Sequence, residues 1–358
     1  MHRPAPKLPS WLPVDGFILA LLGTVGLAAL LPARGPGATV AEGASTAAVA
    51  LLFFLYGARL STREALDGLR HWRLHLTVLA CTFVLFPALG LAARLLVPEV
   101  LPTTLYTGLL FLCLVPSTVQ SSIAFTALAR GNVAAAICAG SFSSLAGIVL
   151  TPLLAGLVLP GDGGGFRAGS LLPIVCQLLL PFLAGQLLRR WIGGFLTRHR
   201  KVLGRVDRGS ILLVVYAAFS AGVVRGIWHQ VSALRLLCLL GVEAVLLAVM
   251  LTATSYGAGK LGFRREDRIA ITFAGSKKSL AAGLPMASVL FGAQAGLMVL
   301  PLMLFHQMQL MVCAFLAKRM AARTVPEPRR TAAPAGPGGA APAAAVAAAG
   351  RRPPGPRD

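Results

Sequence analysis

Apolar segments long enough to cross a membrane alternate along the chain with short connections rich in proline, glycine and basic residues. A helix that spans a bilayer needs about 20 mostly apolar residues. By this criterion the pattern predicts ten spans. They cover approximately residues 15–31, 43–57, 74–97, 104–129, 132–159, 169–188, 210–224, 235–258, 267–291 and 297–317. The chain is therefore predicted to be an all-α polytopic membrane protein.

The composition agrees with this pattern. Hydrophobic residues make up 56% of the chain, charged residues 13%, and the mean hydropathy is +0.76. A soluble domain carries about 25% charged residues. The net charge of +21 is spread over the connections, which argues against a nucleic-acid surface. The six cysteines stand singly in apolar runs, so we expect small core residues, no metal site and no cofactor.

The basic residues also predict an orientation. The connections after spans two, four, six and eight hold sixteen lysines and arginines, and those after the odd-numbered spans hold four. Cytoplasmic connections carry the excess of positive charge. Both termini and the even connections are therefore predicted to be cytoplasmic. Residues 1–14 form the N-terminal segment, residues 15–320 the transmembrane domain, and residues 321–358 a disordered basic tail rich in proline and alanine.

Two adjacent lysines, Lys277 and Lys278, lie in the middle of the ninth span. Each costs about 2.5–3.5 kcal/mol at the centre of a membrane helix, so their retention indicates a use. The neighbouring Gly275, Ser276 and Ser279 are residue types that let a helix break where its backbone lines a cavity. The alternative interpretation is a cytoplasmic loop between two short amphipathic segments.

Ten spans can be two inverted repeats of five, covering about residues 15–159 and 169–320. The ninth span then corresponds to the fourth, which is interrupted at its middle by the segment from Pro116 to Ser122, Pro-Ser-Thr-Val-Gln-Ser-Ser. Inverted-repeat transporters form their binding sites on broken helices at matched positions. The two interruptions are therefore predicted to form one site.

Four motifs occur in the order of a known family. They are residues 53–61 (FFLYGARLS), 115–122 (VPSTVQSS), 275–285 (GSKKSLAAGLP) and 305–309 (FHQMQ). Together they resemble the sodium/bile-acid symporter-like family, in the branch typified by the seventh member of solute carrier family ten. The resemblance implies a panel of spans 1, 2, 6 and 7 and a core of spans 3–5 and 8–10. It also implies that broken helices 4 and 9 cross, that the bundles move to give alternating access, and that the substrate is an organic anion.

The chain departs from the sodium-coupled members of that family. Phe273 stands where they carry an acidic residue, and the two lysines replace a glutamine–asparagine pair. Ala136 and Gly140 replace two hydroxyl residues, and Ser122 replaces an asparagine. Sodium coupling is therefore doubtful, although a sodium ion near Gln120, Ser121 and Ser122 is retained as an alternative.

A lysine ammonium offers the charge of the ion together with three hydrogen bonds. We expect Lys277 to bond with Gln120, Ser121 and Ser122, and Lys278, about 100° further round a helix, to face an anionic substrate. Lys277 could carry a coupling proton, or it could be a permanent latch in an uncoupled transporter. The candidate substrate and ion site comprises Ser117, Thr118, Gln120, Ser121, Ser122, Ser276, Lys277, Lys278, Ser279, His306 and Gln309.

Three further groups of polar residues lie within predicted spans. Glu243 is expected to pair with a lysine of the ninth span, with a water-facing helix end as the alternative. His306 and Gln309 lie one turn apart and either reach the site or make a helix–helix bond. The serines of the fifth span, Ser141, Ser143 and Ser144, are interpreted as helix-packing residues.

The absence of several catalytic motifs distinguishes a transporter from an enzyme or an ATP-driven pump. Neither a Gly-x-Ser-x-Gly nucleophile nor a His-Glu-x-x-His zinc motif is present, so an intramembrane enzyme is not expected. The ATP-binding Gly-x-x-x-x-Gly-Lys-Ser/Thr loop is also absent, so energy must come from a gradient. The sequence predicts a plasma-membrane secondary transporter of a small organic anion. The alternatives are an uncoupled or proton-coupled exporter, or a regulatory membrane protein that affects ion homeostasis.

Overall fold

The computed structural model describes residues 16–59, 71–159, 168–224, 226 and 232–322, and these residues are helical with short connections and no strand. The predicted N-terminal segment and residues 323–358 of the predicted tail lie outside these ranges. We number the helices α1 (Gly16–Leu30), α2 (Pro36–Arg59), α3 (Trp72–Leu96), α4 (Thr103–Leu114), α5 (Val119–Leu128), α6 (Val133–Val158), α7 (Ala168–Arg198), α8 (Arg200–Val224), α9 (Ala233–Lys260), α10 (Arg265–Gly275), α11 (Leu280–Phe291) and α12 (Ala295–Ala322).

The described helices support a multi-pass membrane protein. Six of them, α2, α3, α6, α8, α9 and α12, are long and apolar enough to cross a membrane. The pair α4 and α5 makes a seventh span if its two halves, bent by 65°, are taken together. The count of ten inverted spans stays a prediction.

Several helices continue beyond the apolar segments that the hydropathy pattern marks. Helix α7 continues to Arg198, and α8 begins at Arg200, ten residues before the predicted span. Hydropathy measures only the part of a helix that suits lipid, whereas lysine and arginine are good helix formers in water. The helices therefore extend through the basic connection.

The helices form two bundles. Helices α1, α2, α7 and α8 pack together, and α10 packs among α3, α5, α6 and α9. Helices α2 and α7 approach closely through two glycines. A Cβ atom at Gly57 would lie 2.0 Å from the Phe182 carbonyl oxygen, and one at Gly185 would lie 2.1 Å from that of Phe54. Because only glycine lacks a Cβ, these two positions set the separation of the helices.

Proline shapes the helices that lead into the core. Val115, the residue before Pro116, has an extended backbone (φ −72°, ψ 156°), as expected before a proline, and α4 ends at Leu114. In α3, residues Cys81–Leu85 form a π-helical turn just before Pro87, and the Phe86 amide bonds to the Cys81 carbonyl. Each of these irregular segments frees backbone carbonyls inside the core.

Candidate functional site: two broken helices and the cavity above them

The two predicted interruptions exist and bond to each other. The first separates α4 from α5 and the second, Ser276 to Ser279, separates α10 from α11. The Ser279 amide donates to the Pro116 carbonyl at 2.8 Å, and the Thr118 hydroxyl donates to the Lys278 carbonyl at 2.7 Å. The alternative of a cytoplasmic loop between two short amphipathic segments is wrong, since residues 276–279 are buried within the protein rather than exposed to water.

The carbonyls at the end of α4 are satisfied from other helices. The Lys278 ammonium donates to the Cys113 carbonyl at 2.7 Å and to the Val115 carbonyl at 2.8 Å. The Thr151 hydroxyl of α6 donates to the Leu114 carbonyl at 2.9 Å. A helix end buried in a membrane needs such partners, because no water reaches it.

The carbonyls at the end of α10 are satisfied by serines. Ser122 donates to the Phe273 carbonyl at 3.0 Å, Ser117 donates to the Ala274 carbonyl, and Ser276 donates to the Thr272 carbonyl at 2.6 Å. These three hydroxyls were predicted as substrate or ion ligands. In the structure Ser117 and Ser122 bond from one broken helix to the other, whereas Ser276 bonds within α10, and all three side chains are fully buried.

The side chain of Lys278 points into the core of the protein and not, as the sequence predicted, towards a substrate. Its side chain is fully buried, and its ammonium donates to a third carbonyl, that of Thr82 in α3, at 3.0 Å. The Phe86 ring centroid lies 4.1 Å away. The prediction that Lys278 faces an anionic substrate is therefore wrong, because all three ammonium protons are used inside the core. The assumed 100° rotation between neighbours holds only in a helix, and residues 276–279 are not helical.

Lys277 makes one of the three predicted contacts. Its ammonium donates to the Ser121 hydroxyl at 3.1 Å and lies 4.4 Å from the Phe125 ring centroid and 5.8 Å from that of Phe273. An aromatic ring attracts a cation that lies over its face within about 6 Å of the centroid. Gln120 is exposed on the first turn of α5 and lines a cavity instead.

Gln309 fixes the backbone of the second break. Its amide oxygen accepts from the Lys278 N–H at 2.9 Å, and its amide nitrogen donates to the Lys278 carbonyl at 2.8 Å. The same nitrogen lies 2.8 Å from Nδ1 of His306. Because Gln309 must donate there, Nδ1 of His306 is an acceptor and its ring proton is on Nε2. The pair was expected either to reach the site or to make a helix–helix bond. Gln309 reaches the site, because it bonds to the backbone of the second break, and His306 contacts Gln309.

A cavity of about 720 Å³ lies between the two bundles and reaches the broken helices. Its floor holds polar residues of the core, and its walls hold aromatic and aliphatic residues of both bundles. The floor residues are Thr118, Gln120, Ser141, Ser144 and Ser279, and the wall includes Phe17, Phe53, Leu145, Ile148, Phe182 and Met286. Basic residues line the rest: Arg59, Arg200, Lys201, Arg205 and Arg208.

Some of the residues that line the cavity were not assigned to the site by the sequence. Ser141 and Ser144 line the cavity, whereas Ser143 of the same helix accepts from the Ser117 N–H at 2.9 Å. The interpretation as packing residues fits Ser143 only. Arg59 and Asp207, which form a salt bridge between α2 and α8, were also missed. The sequence signals were the family motif of residues 53–61, which contains Arg59, and the basic run after the sixth span, which contains Asp207 and was used only for topology.

Glu243 does not pair with a lysine. Its side chain is fully buried on the face of α9 that carries Leu239 and Met250, and neither carboxyl oxygen has a hydrogen-bond partner in the described part of the chain. The alternative of a water-facing helix end is excluded by the same burial. Both lysine ammonium groups are engaged at the crossing of the broken helices, so the expected pair does not form.

Comparison with known proteins identifies the family. A profile of the SBF-like CPA transporter family matches residues 15–322. The chain belongs to this family, which is of the sodium/bile-acid symporter-like type. The matched range contains both broken helices and the cavity.

Three relatives span almost the same length. PA2026 of Pseudomonas aeruginosa is 56% identical, over 88% of this chain and 95% of its own. The Escherichia coli protein named "Putative symporter YfeH" is 51% identical, over 87% of this chain and 94% of its own. The mouse protein named "Sodium/bile acid cotransporter 7" is 30% identical, over 83% of this chain and 90% of its own. The chain is therefore a membrane transporter of the bile acid:sodium symporter type.

Proposed function

We propose that this protein is a secondary transporter of a small organic anion, which binds at the floor of the cavity between the two bundles. The observation that carries the proposal is the meeting of two helix N-termini, those of α5 and α11, at that floor. Helix N-termini present free N–H groups and a partial positive charge, and both favour an anion. In broken-helix transporters this arrangement holds anionic groups of the substrate.

The α5 terminus is the better donor of the two. Ser279 caps α11 by accepting from the Ala282 N–H at 3.2 Å. Thr118 precedes α5 but makes no side-chain cap, because its hydroxyl donates to the Lys278 carbonyl. The first-turn amides of α5 are therefore left for water or for a ligand. Gln120 and Ser141 lie beside them on the cavity floor and supply neutral polar groups.

The basic residues of the cavity support an anionic substrate, and they indicate the side of the membrane to which the cavity opens. Arg200, Lys201, Arg205 and Arg208 line the cavity, with Asp207 as an acidic neighbour that is paired with Arg59. This helical segment belongs to a connection that the charge bias assigns to the cytoplasm. We therefore take the structure to be open towards the cytoplasm. Movement of α1, α2, α7 and α8 against the other helices would close the cavity on that side and open it on the other.

The proposal keeps the predicted organisation of the chain. Ten spans follow if α1, α7 and the pair α10–α11 also cross the plasma membrane, with α4–α5 and α10–α11 as the matched broken spans of two inverted repeats. Both termini are then cytoplasmic.

We propose that sodium is not the coupling ion. Two of the three candidate sodium ligands already take part in hydrogen bonds. The Ser121 hydroxyl accepts from the Lys277 ammonium, and the single proton of the Ser122 hydroxyl lies between the carbonyls of Thr118 and Phe273. A sodium ion there would lie beside a lysine charge and would lack the acidic residue that Phe273 replaces. Two like charges in a medium of low dielectric constant repel strongly. The remaining choices are coupling to protons and transport without coupling.

A pair of isosteric variants tests the anion site. Ser141→Asp places a negative charge on the cavity floor, and Ser141→Asn places a neutral side chain of the same size there. Purified proteins in proteoliposomes would be assayed for uptake of a panel of labelled organic anions. We expect at least one anion to show saturable uptake that Ser141→Asp reduces more than about tenfold and Ser141→Asn reduces much less. Equal loss in both variants, or uptake of cations instead, would contradict the proposal.

A further inference from the structure

Three backbone carbonyls from two helices converge on one point in the core. The oxygens of Thr82, Cys113 and Val115 lie 3.0, 2.7 and 2.8 Å from the Lys278 ammonium nitrogen. None of them belongs to the broken helix that carries the lysine. The Phe86 ring centroid lies 4.1 Å from the same nitrogen. We call these three carbonyls and the Phe86 ring the carbonyl cradle.

Each carbonyl of the cradle lacks a helical hydrogen-bond donor for a local reason. The Thr82 carbonyl has lost its helical donor, because the Phe86 N–H bonds to Cys81 instead and Pro87 has no N–H. The Cys113 carbonyl has lost its donor because the Ser117 N–H bonds to the Ser143 hydroxyl. Val115 lies beyond the end of α4. The course of the backbone therefore points three carbonyl oxygens without helical donors at one position, whichever group occupies it.

We propose that the carbonyl cradle is a site for a small monovalent cation, and that Lys278 occupies it as a cation tethered to the chain. Carbonyl oxygens and the face of an aromatic ring are the groups that bind potassium or an ammonium ion in proteins. The three described hydrogen bonds use every proton of the ammonium group. A free cation of similar size should enter the site once the lysine side chain is shortened. This inference concerns an ion site rather than substrate transport, and it does not depend on the proposed function.

Lys277 is the natural control, since it is the adjacent lysine and is equally buried. Its ammonium bonds to one hydroxyl and otherwise faces two rings. In the described part of the chain no backbone oxygen bonds to the Lys277 ammonium, so we expect that its surroundings do not hold a free ion. Comparing variants at Lys277 and Lys278 therefore distinguishes ion binding at the cradle from a general effect of salt and from the loss of any buried lysine.

The experiment measures thermal unfolding of the full chain in detergent for the wild type, Lys278→Ala and Lys277→Ala. Each protein is solubilised in chloride salts of choline, sodium, potassium, ammonium or methylammonium at one ionic strength. We expect Lys278→Ala to have a lowered midpoint in choline. We also expect a saturable rise of at least about 2–4 °C in one or more of the small cations, because an ion that binds only the folded state stabilises it. The wild type and Lys277→Ala should show no such ion-specific rise.

Two further variants keep the proposal falsifiable. Lys278→Met fills the space without a charge, so it should be unstable and should not respond to cations. Pro87→Ala restores an N–H that can compete for the Thr82 carbonyl, so adding it to Lys278→Ala should weaken the cation effect. An unchanged midpoint of Lys278→Ala across all salts would overturn the proposal. If Lys278→Ala does not accumulate, a Lys278→Met protein as stable as the wild type would also overturn it, because the cradle would then need no cation.

Discussion

The backbone amide of Ser279 donates a 2.8 Å hydrogen bond to the carbonyl of Pro116, and this bond joins the two broken helices directly. Around it the side chains exchange bonds in both directions. Lys278 of the second break satisfies the end of α4, and Ser117 of the first break and Ser122 of α5 satisfy the end of α10. Each break is stable because the other one is present.

Gln309 should be needed for the geometry of the second break. Gln309→Met keeps the size of the side chain but leaves the Lys278 N–H without its partner and removes one donor to its carbonyl. Because a buried backbone group without a partner costs about 1–3 kcal/mol, we expect a clearly lower midpoint of thermal unfolding in detergent. Gln307→Met on the same helix, where Gln307 is only partly buried, serves as the control. Equal midpoints for the two variants would contradict the assignment of Gln309 as a backbone clamp.

Gly185 should be intolerant of even one added carbon. In Gly185→Ala the new Cβ would lie 2.1 Å from the Phe54 carbonyl oxygen and 2.8 Å from the Ala58 nitrogen, both backbone atoms of α2. Overpacking of this kind costs about 1–3 kcal/mol. Gly194→Ala on the same helix meets no atom within 4 Å and should be neutral or slightly stabilising. The midpoints of thermal unfolding in detergent test both, and a Gly185→Ala protein as stable as Gly194→Ala would show that α2 and α7 are not so closely packed.

Sodium should have no effect on uptake by the wild type. Lys277→Gln should transport poorly, because it removes the ammonium next to Ser121 and leaves a polar pocket without a charge. Adding Phe273→Glu supplies a carboxylate at this pocket, because in the wild type the Phe273 ring lies beside the Lys277 ammonium. The double variant should recover part of the activity and require sodium, which is a hard cation that prefers oxygen ligands. Uptake in proteoliposomes with sodium replaced by choline measures this. Strong sodium stimulation of the wild type with normal activity in Lys277→Gln would show that the built-in charge does not replace the ion.

The predicted orientation places the C-terminus in the cytoplasm. A fluorescent reporter that folds only in the cytoplasm, fused after Asp358, should therefore be bright. An alkaline phosphatase fusion at the same position should be inactive. The opposite pattern would contradict the predicted orientation, because it would require either an odd number of spans or both termini on the outside.

The basic tail should be dispensable for folding. The last described helix, α12, ends at Ala322, and residues 324–358 have almost nothing to bury. Truncation after Arg323 should leave the amount of protein in the membrane and the uptake rate within about twofold of the full chain. Immunodetection against an N-terminal tag and proteoliposome uptake measure the two effects. Failure of the truncated chain to accumulate would assign the tail a role in assembly.

Part of the site could be read from the sequence. Pro116, the lysine pair and the surrounding small residues indicated that two helices break near the middle of apolar segments, because proline removes an N–H and a charged residue cannot face lipid. The class of protein followed from the length and spacing of the apolar segments. These are local properties of the chain, and they survive any rearrangement of the helices.

The partners of the polar groups were decided by the tertiary structure alone. The sequence predicted that Lys277 replaces the sodium ion and that Lys278 faces the substrate. In the structure the Lys278 ammonium instead lies among three carbonyls, and the Lys277 ammonium contacts one hydroxyl and two aromatic rings. One of those carbonyls, that of Thr82, lies almost two hundred residues away in the chain. Glu243 was expected to pair with a lysine, but it is buried and its carboxyl oxygens have no hydrogen-bond partner among the described residues. In a non-helical break the side-chain directions follow no fixed period, and a backbone carbonyl looks the same in every residue. Which acceptor lies within 3 Å of a lysine is therefore fixed only when the helices pack.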